Sequence, residues 1–153
     1  MPLIDVSIVF LIKDHKIYIQ LRPPDKSPFP NTYEPIQETV KDKDGTPSID
    51  NSHYLNCAIR GLREEVGINV TKNQLESILH IPNREIERDG VKYNLRGQVY
   101  IATSDQKLTP NPKEAIPEQS YPRTIAEIET LTSKNPTLEY VLPRIKLVLE
   151  ARL

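Results

Sequence analysis

Residues Cys57–Val70 read CAIRGLREEVGINV, the second half of an amphipathic helix that stops at a glycine. Leu55, Ala58, Ile59, Leu62 and Val66 recur at helical spacing and predict a buried stripe on a helix running from about Ser52 to Val66. Gly67 supplies the left-handed residue that ends it. The last turns hold two adjacent acids, Glu64 and Glu65, with Arg60 one turn earlier. A helix C-terminus carries partial negative charge, so each acid there costs about 0.3–1 kcal/mol at low salt. Residues 61, 64 and 65 project from one side of the helix. Carboxylates on such a rigid face can hold a divalent cation through oxygen, and Arg60 is placed to orient Glu64 by a charge-assisted hydrogen bond. The plainer account of a Glu-Glu pair is a solvated helix face.

Upstream of this helix, Asp5–Ile12 (DVSIVFLI) is apolar at nearly every position, as expected of a strand covered on both faces. A polar turn at Lys13–Lys16 joins it to the alternating strand Ile17–Leu21, giving a hairpin. Arg22-Pro23-Pro24 stops that strand, and Asp25–Asn31 reads as an ordered loop. Tyr33–Val40 (YEPIQETV) is a short extended segment in which Pro35 argues against a central ladder position. Lys41–Asn51 reads as a surface loop whose alternating Lys41, Asp42, Lys43 and Asp44 cancel one another in solvent.

Downstream, Leu75–Ile81 reads as a strand that ends at Pro82. Arg84–Arg88 and Val91–Thr103 flank Asp89-Gly90, a type I′ hairpin signal. Alternation puts Val91, Tyr93, Leu95, Val99 and Ile101 on one face and Lys92, Asn94, Arg96 and Gln98 on the other, with Gly97 at a bulge or a close backbone approach. Leu108–Pro122 contains four prolines and the acids Glu114 and Glu118, and predicts a long irregular connection. Thr124–Glu127 fits a capping box opening a short helix to about Leu131. Asn135-Pro136 starts a C-terminal helix with Leu138, Val141, Leu142, Ile145, Val148 and Leu149 inward, which Pro143 should kink or truly begin. Strands before and after a central helix point to the α+β class or to an α/β/α sandwich with a mixed sheet, in one domain over 1–153.

At 153 residues the chain can bury a core without disulfides or a structural metal, and its net charge of −1 makes no electrostatic case for nucleic acid or an anionic membrane. The lone Cys57 rules out an internal disulfide and points to a reducing compartment, so a soluble cytoplasmic protein is expected. No run is apolar enough to span a membrane. There is no HExxH, no GxGxxG or P-loop pattern and no nucleophile-elbow motif.

The run Arg60-Gly61-Leu62-Arg63-Glu64-Glu65-Val66-Gly67-Ile68 resembles the second half of the Nudix box, G-x5-E-x7-R-E-U-x-E-E-x-G-U, where U is a bulky aliphatic residue. Six of the seven specified positions match: Arg60, Leu62, Glu64, Glu65, Gly67 and Ile68. The order of elements, from the N-terminal hairpin to the C-terminal helix, resembles the family too. Three features depart from it. Gly61 stands where the box has an acid that commonly ligates metal or serves as base. Ser52 stands where a Glu is expected. Tyr33–Glu38 occupies the place of the usual Gly-Gly pair, and the loop that follows is longer than usual.

The resemblance implies a Mg²⁺- or Mn²⁺-dependent pyrophosphatase acting on a nucleotide-like small molecule, a nucleoside diphosphate linked to another moiety. It makes Glu64 and Glu65 metal ligands and Arg60 their orienter. A strand-side Glu38 is then a candidate for the carboxylate that Gly61 lacks; the alternative is an exposed strand-edge acid. Glu114, then Glu118, are the candidate general bases. Arg22 and Lys26 are candidate phosphate contacts, and Tyr33 a candidate to stack on a base. Two functional readings stay open at this point: a divergent Nudix hydrolase, and a catalytically inactive Nudix-fold module that binds a nucleotide-like ligand or a protein partner.

Overall fold

The apolar N-terminal run forms the centre of a mixed sheet in a computed structural model that describes all 153 residues. Strand β1 (Leu3–Lys13) is buried from Val6 to Ile12, as its lack of polar alternation requires. Along one edge it pairs in parallel with β6 (Val91–Thr103), from Leu3 opposite Asn94 to Ile12 opposite Thr103. Along its other edge it changes partner. β4 (Ile36–Thr39) lies antiparallel to Val6–Val9, and β2 (Lys16–Leu21) takes over at Ile12 and Lys13. β3 (Tyr33–Glu34) and β7 (Tyr121–Arg123) both pair with β2, and β5 (Glu76–Arg88) closes the far edge against β6.

Each face of this sheet is covered. α1 (Ser52–Val66) lays Ala58, Leu62 and Val66 on Val9, Leu11, Tyr18, Ile36 and Tyr100. On the opposite face α2 (Ile125–Thr130) and α3 (Pro136–Arg152) bury Ile128, Leu138, Val141, Ile145 and Leu149 against Ile8, Phe10, Ile17 and Ile19. This is the α/β/α sandwich with a mixed sheet that the order of elements predicts. Gly97 is a close backbone approach, where a Cβ would stand 2.2 Å from the Val6 carbonyl oxygen, and it pairs with Ile81 where the register of β5 shifts. Asp89 (φ 52°) and Gly90 (φ 77°) make the hairpin turn in the left-handed region, as a type I′ turn demands.

Two expectations are corrected and two are narrowed. β5 does not end at Pro82 but continues to Arg88 through a register shift between Ile81 and Arg84. An edge strand with a bulge tolerates a proline that cannot donate to a ladder. The face of β6 that carries Lys92, Asn94, Arg96 and Gln98 becomes buried toward its C-terminal end, where Gln98, Tyr100 and Ala102 lie on the side that α1 covers. The Leu108–Pro122 connection holds a 3-10 turn at Pro117–Gln119, and Pro122 itself lies in the short edge strand β7. Pro143 is not the start of α3, which begins at Pro136 and holds Pro143 in its interior. No helix is long and apolar enough to cross a membrane.

Candidate functional site

Helix α1 is a fixed platform. Leu62 and Val66 are fully buried, and Gly67 (φ 72°) closes the helix with its N–H on the carbonyls of Leu62 and Arg63. The carbonyls left over at the C-terminus are taken by the long connection. Asn111 N–H donates to the Glu65 carbonyl, its Nδ2 donates to that of Glu64, and Thr109 N–H donates to that of Val66. That capping fixes the start of the segment carrying Glu114.

Arg60 is 4% exposed and has more partners than the helix alone could provide. Its Nη1 lies between Glu64 Oε2 (3.2 Å) and Glu38 Oε1 (3.3 Å), so it orients a strand carboxylate as well as the helix one. Its Nε and Nη2 donate to the two oxygens of Asp44 at 2.8 and 2.7 Å, and Nη2 also donates to the Thr39 carbonyl at 2.9 Å. Asp44 therefore corrects the expectation of a solvated Lys-Asp alternation. It sits in a 3-10 turn, Asp42–Asp44, that folds back on α1, and it is 3% exposed. Burial disfavours its charge, but hydrogen bonds from Arg60 and the Lys41 N–H outweigh burial and hold its pKa below the usual aspartate range. Replacing Asp44 by Ala leaves a buried guanidinium short of its bidentate partner. We expect a loss of about 2–3 kcal/mol in a denaturant titration, below the full cost of breaking a buried pair because Glu38 and Glu64 remain.

Glu65 lies deeper. It is 1% exposed and accepts a hydrogen bond from Gln20 Nε2 at 2.7 Å on Oε1. Gln20 in turn accepts from the Tyr18 hydroxyl at 3.1 Å. Glu65 Oε2 is buried without any hydrogen-bond partner. Burial first, then the negative charges of Glu34 and Glu38, push the Glu65 carboxyl well above the usual range, against the Gln20 hydrogen bond. Glu64 is different: 39% of its side chain is exposed, and although burial opposes it, Arg60 and Lys43 lower its pKa.

Gly61 joins these groups. A Cβ at this position would stand 2.9 Å from Glu38 Cβ and 3.4 Å from Glu65 Oε2. The space of the helix acid is thus taken by the base of the Glu38 side chain, projected from β4 where Glu38 pairs with Ser7 of β1. No three His, Cys, Asp or Glu side chains are gathered closely enough to chelate an ion unaided. The donor set nevertheless fits Mg²⁺ or Mn²⁺, which lean on one or two carboxylates and complete their shell with water and substrate phosphate. The orphaned Glu65 oxygen beside Glu38 is the observation that supports this fit.

Beside these acids lies a cleft of about 240 Å³ that brings together Glu38, Glu64, Glu114, Arg22, Lys26 and Lys41. Lys26 pairs with Glu114 at 2.7 Å. Arg22 is held by Glu34, Nη1 to Oε1 at 2.8 Å, while its Nε has no partner. Tyr33 and Glu118 are placed elsewhere. Tyr33 packs its ring 5.1 Å from the Arg123 guanidinium, and Glu118 sits exposed in the Pro117–Gln119 turn. Sequence reasoning missed Asp44, Gln20 and Glu34. The signal for Gln20 was alternation, which puts it on the same strand face as Tyr18, toward α1.

Glu34 gives a pH prediction. It is 1% exposed, and burial outweighs the attraction of Arg22 to raise its pKa from 4.5 to about 7. The folded chain then holds a proton that the unfolded chain releases, so the contribution is intact below pH 4.5 and is lost as pH rises through about 7. Glu34→Gln should remove that dependence. Its stability relative to wild type should rise between pH 5 and 8 by an amount on the order of 3 kcal/mol at most, read by thermal melts across that range.

No protein-family model matches the sequence, and no curated protein matches it. Solved structures do. The MutT protein of Methanosarcina mazei Go1 has a TM-score of 0.69 at 11% identity, over 95% of this chain and 94% of that one. A C. elegans Ap4A hydrolase in a binary complex has a TM-score of 0.61 at 15% identity, over 97% and 98%. The Nudix domain of Shewanella oneidensis NrtR, complexed with ADP ribose, has a TM-score of 0.61 at 13% identity, over 96% and 88%. Identities this low establish shared architecture alone, and the architecture they share is that of the Nudix fold, which this chain adopts.

Proposed function

We propose that the protein hydrolyses a phosphoanhydride in a nucleoside diphosphate linked to another moiety, with Mg²⁺ or Mn²⁺ as cofactor. The observation that carries this reading is the Glu38 side chain standing where the helix acid at position 61 would be, next to the unpartnered oxygen of Glu65. Glu38 and Glu65 hold the ion, with Glu64 at the solvent side. When bound, the ion neutralises phosphate charge and lowers the pKa of a water. Arg60 aligns Glu38 and Glu64 and is itself held by Asp44. Lys26 and Arg22 offer positive charge to the phosphates, and Glu114, paired with Lys26 at the cleft, is the proton acceptor for the attacking water. Structural likeness to an Ap4A hydrolase supports a nucleotide-like substrate.

The absence of an acid at Gly61 favours a second reading, a module that binds such a ligand without cleaving it. A panel of nucleoside diphosphate derivatives, including ADP-ribose and a dinucleoside polyphosphate, separates the two. Turnover that requires Mg²⁺ or Mn²⁺ is expected. Saturable binding with no turnover across the panel would replace the hydrolase reading with the second.

A further inference from the structure

Half of the residues that line the cleft beside α1 are charged, three positive and three negative, and its one aromatic ring is Phe29. Its volume of about 240 Å³ falls below the roughly 300–1,000 Å³ of sites that enclose a drug-sized ligand. Of the two Phe and seven Tyr in the chain, which has no Trp, only Phe29 lines it. Phe29 is 6% exposed, and its ring meets Tyr93 edge-on at 4.9 Å, so little of it reaches the cleft. Phe10, Tyr18, Tyr54 and Tyr100 are buried in the cores. The others lie off the cleft: Tyr33 and Tyr121 flank Arg123, and Tyr140 lies under Arg144.

Two of the acceptors on its lining are already engaged. Gln37 Oε1 accepts from the Thr137 hydroxyl, and the Thr39 carbonyl accepts from Arg60. To a ligand the cleft presents the positive charge of Lys26, paired with Glu114, of Arg22, paired with Glu34, and of Lys41, facing the carboxylates of Glu38, Glu64 and Glu114. That pattern suits a metal-bridged phosphate chain. A base stacked on an aromatic ring gains roughly 5- to 150-fold in affinity, and no ring here supplies that gain.

Building on the hydrolase reading, we infer that this protein recognises the oligophosphate of its ligand and leaves the nucleobase in solvent. Its specificity is for phosphate, not for A, G, C or U.

Calorimetric titration of the full chain with ATP, GTP, CTP, UTP and inorganic tripolyphosphate, with Mg²⁺ in excess of ligand, tests this directly. The five Kd values should agree within about threefold, and Lys26→Ala should weaken all five by the same factor. A preference above about tenfold for one base overturns the inference. So does tripolyphosphate failing to bind where a nucleotide binds, or no binding by any of the five. Turnover measured on the same nucleotides separates this inference from the reading it rests on. Base-indifferent binding without turnover keeps the inference and removes the hydrolase. Metal-dependent turnover with a strong base preference does the reverse.

Discussion

Glu65→Gln is expected to lose metal-dependent turnover by about two to three orders of magnitude while raising the melting temperature. The first effect follows from removing a carboxyl oxygen that no protein group satisfies and that a bound ion would use; a loss of that size is about 3–4 kcal/mol of transition-state stabilisation. The second follows from burial. A carboxyl whose pKa is raised on folding is harder to ionise in the folded chain than in the unfolded one, so it weakens the fold increasingly as pH rises above the usual glutamate range. A neutral Gln can still accept the hydrogen bond from Gln20 and carries no charge to bury. Each kcal/mol regained should appear as about 2–4 °C, and the gain should be larger at pH 8 than at pH 5. The pair of outcomes is diagnostic. A residue kept for packing would lose stability and activity together, whereas one kept for chemistry should trade one for the other.

The second large effect concerns Gly61 and Glu38. Restoring an acid on the helix by Gly61→Glu should not improve activity but abolish it, because the new Cβ would be 2.9 Å from Glu38 Cβ. Neither atom is the free end of a flexible chain, so α1 or β4 must shift, at about 1–3 kcal/mol. The helix propensity gained on replacing glycine, at most about 1 kcal/mol, does not offset this. Removing the obstruction as well, in Gly61→Glu with Glu38→Gly, should bring back metal-dependent turnover. Glu38→Gly alone should be inactive. Stability should show the same coupling. Gly61→Ala is destabilising while Glu38 is present, and stabilising by about 0.5–1 kcal/mol when it is made in the Glu38→Gly background. Additive single and double variants in both measurements would show that the two positions share no space and no role.

Much of the sandwich could be read from periodicity. The helical stripe of Leu55–Val66, the unbroken apolar run of β1, the Asp89-Gly90 turn and the Thr124 capping box are local signals, and each fell where local physics puts it. Errors came where a distant partner overrides a local rule. Pro82 reads as a stop, yet it is absorbed by a bulge on an edge strand. Gln98 reads only as a member of the polar face of its strand, and nothing in that strand announces that α1 will cover it. At the site, Glu64, Glu65 and Arg60 were visible because one helix spaces them. Asp44 was not, since four alternating charges in a loop look solvated until the turn docks and hands one carboxylate to Arg60. The juxtaposition of Glu38 with Gly61 is a contact across 23 positions between a strand and a helix (61 − 38), and only the fold shows how tight it is.

If a strand carboxylate replaces the missing helix acid, Glu38 must contribute directly to metal affinity. Titration of Mn²⁺ into wild type and Glu38→Gln, followed by the loss of the free-ion electron paramagnetic resonance signal, tests this most directly. Arg60 keeps Asp44 and Glu64 in the variant, so the platform stays assembled. Mn²⁺ affinity should fall at least about tenfold, since even residues that only support a ligand contribute about 10–100-fold. Equal affinity in the two proteins would contradict a metal-binding role and return Glu38 to a strand-edge acid paired with Arg60.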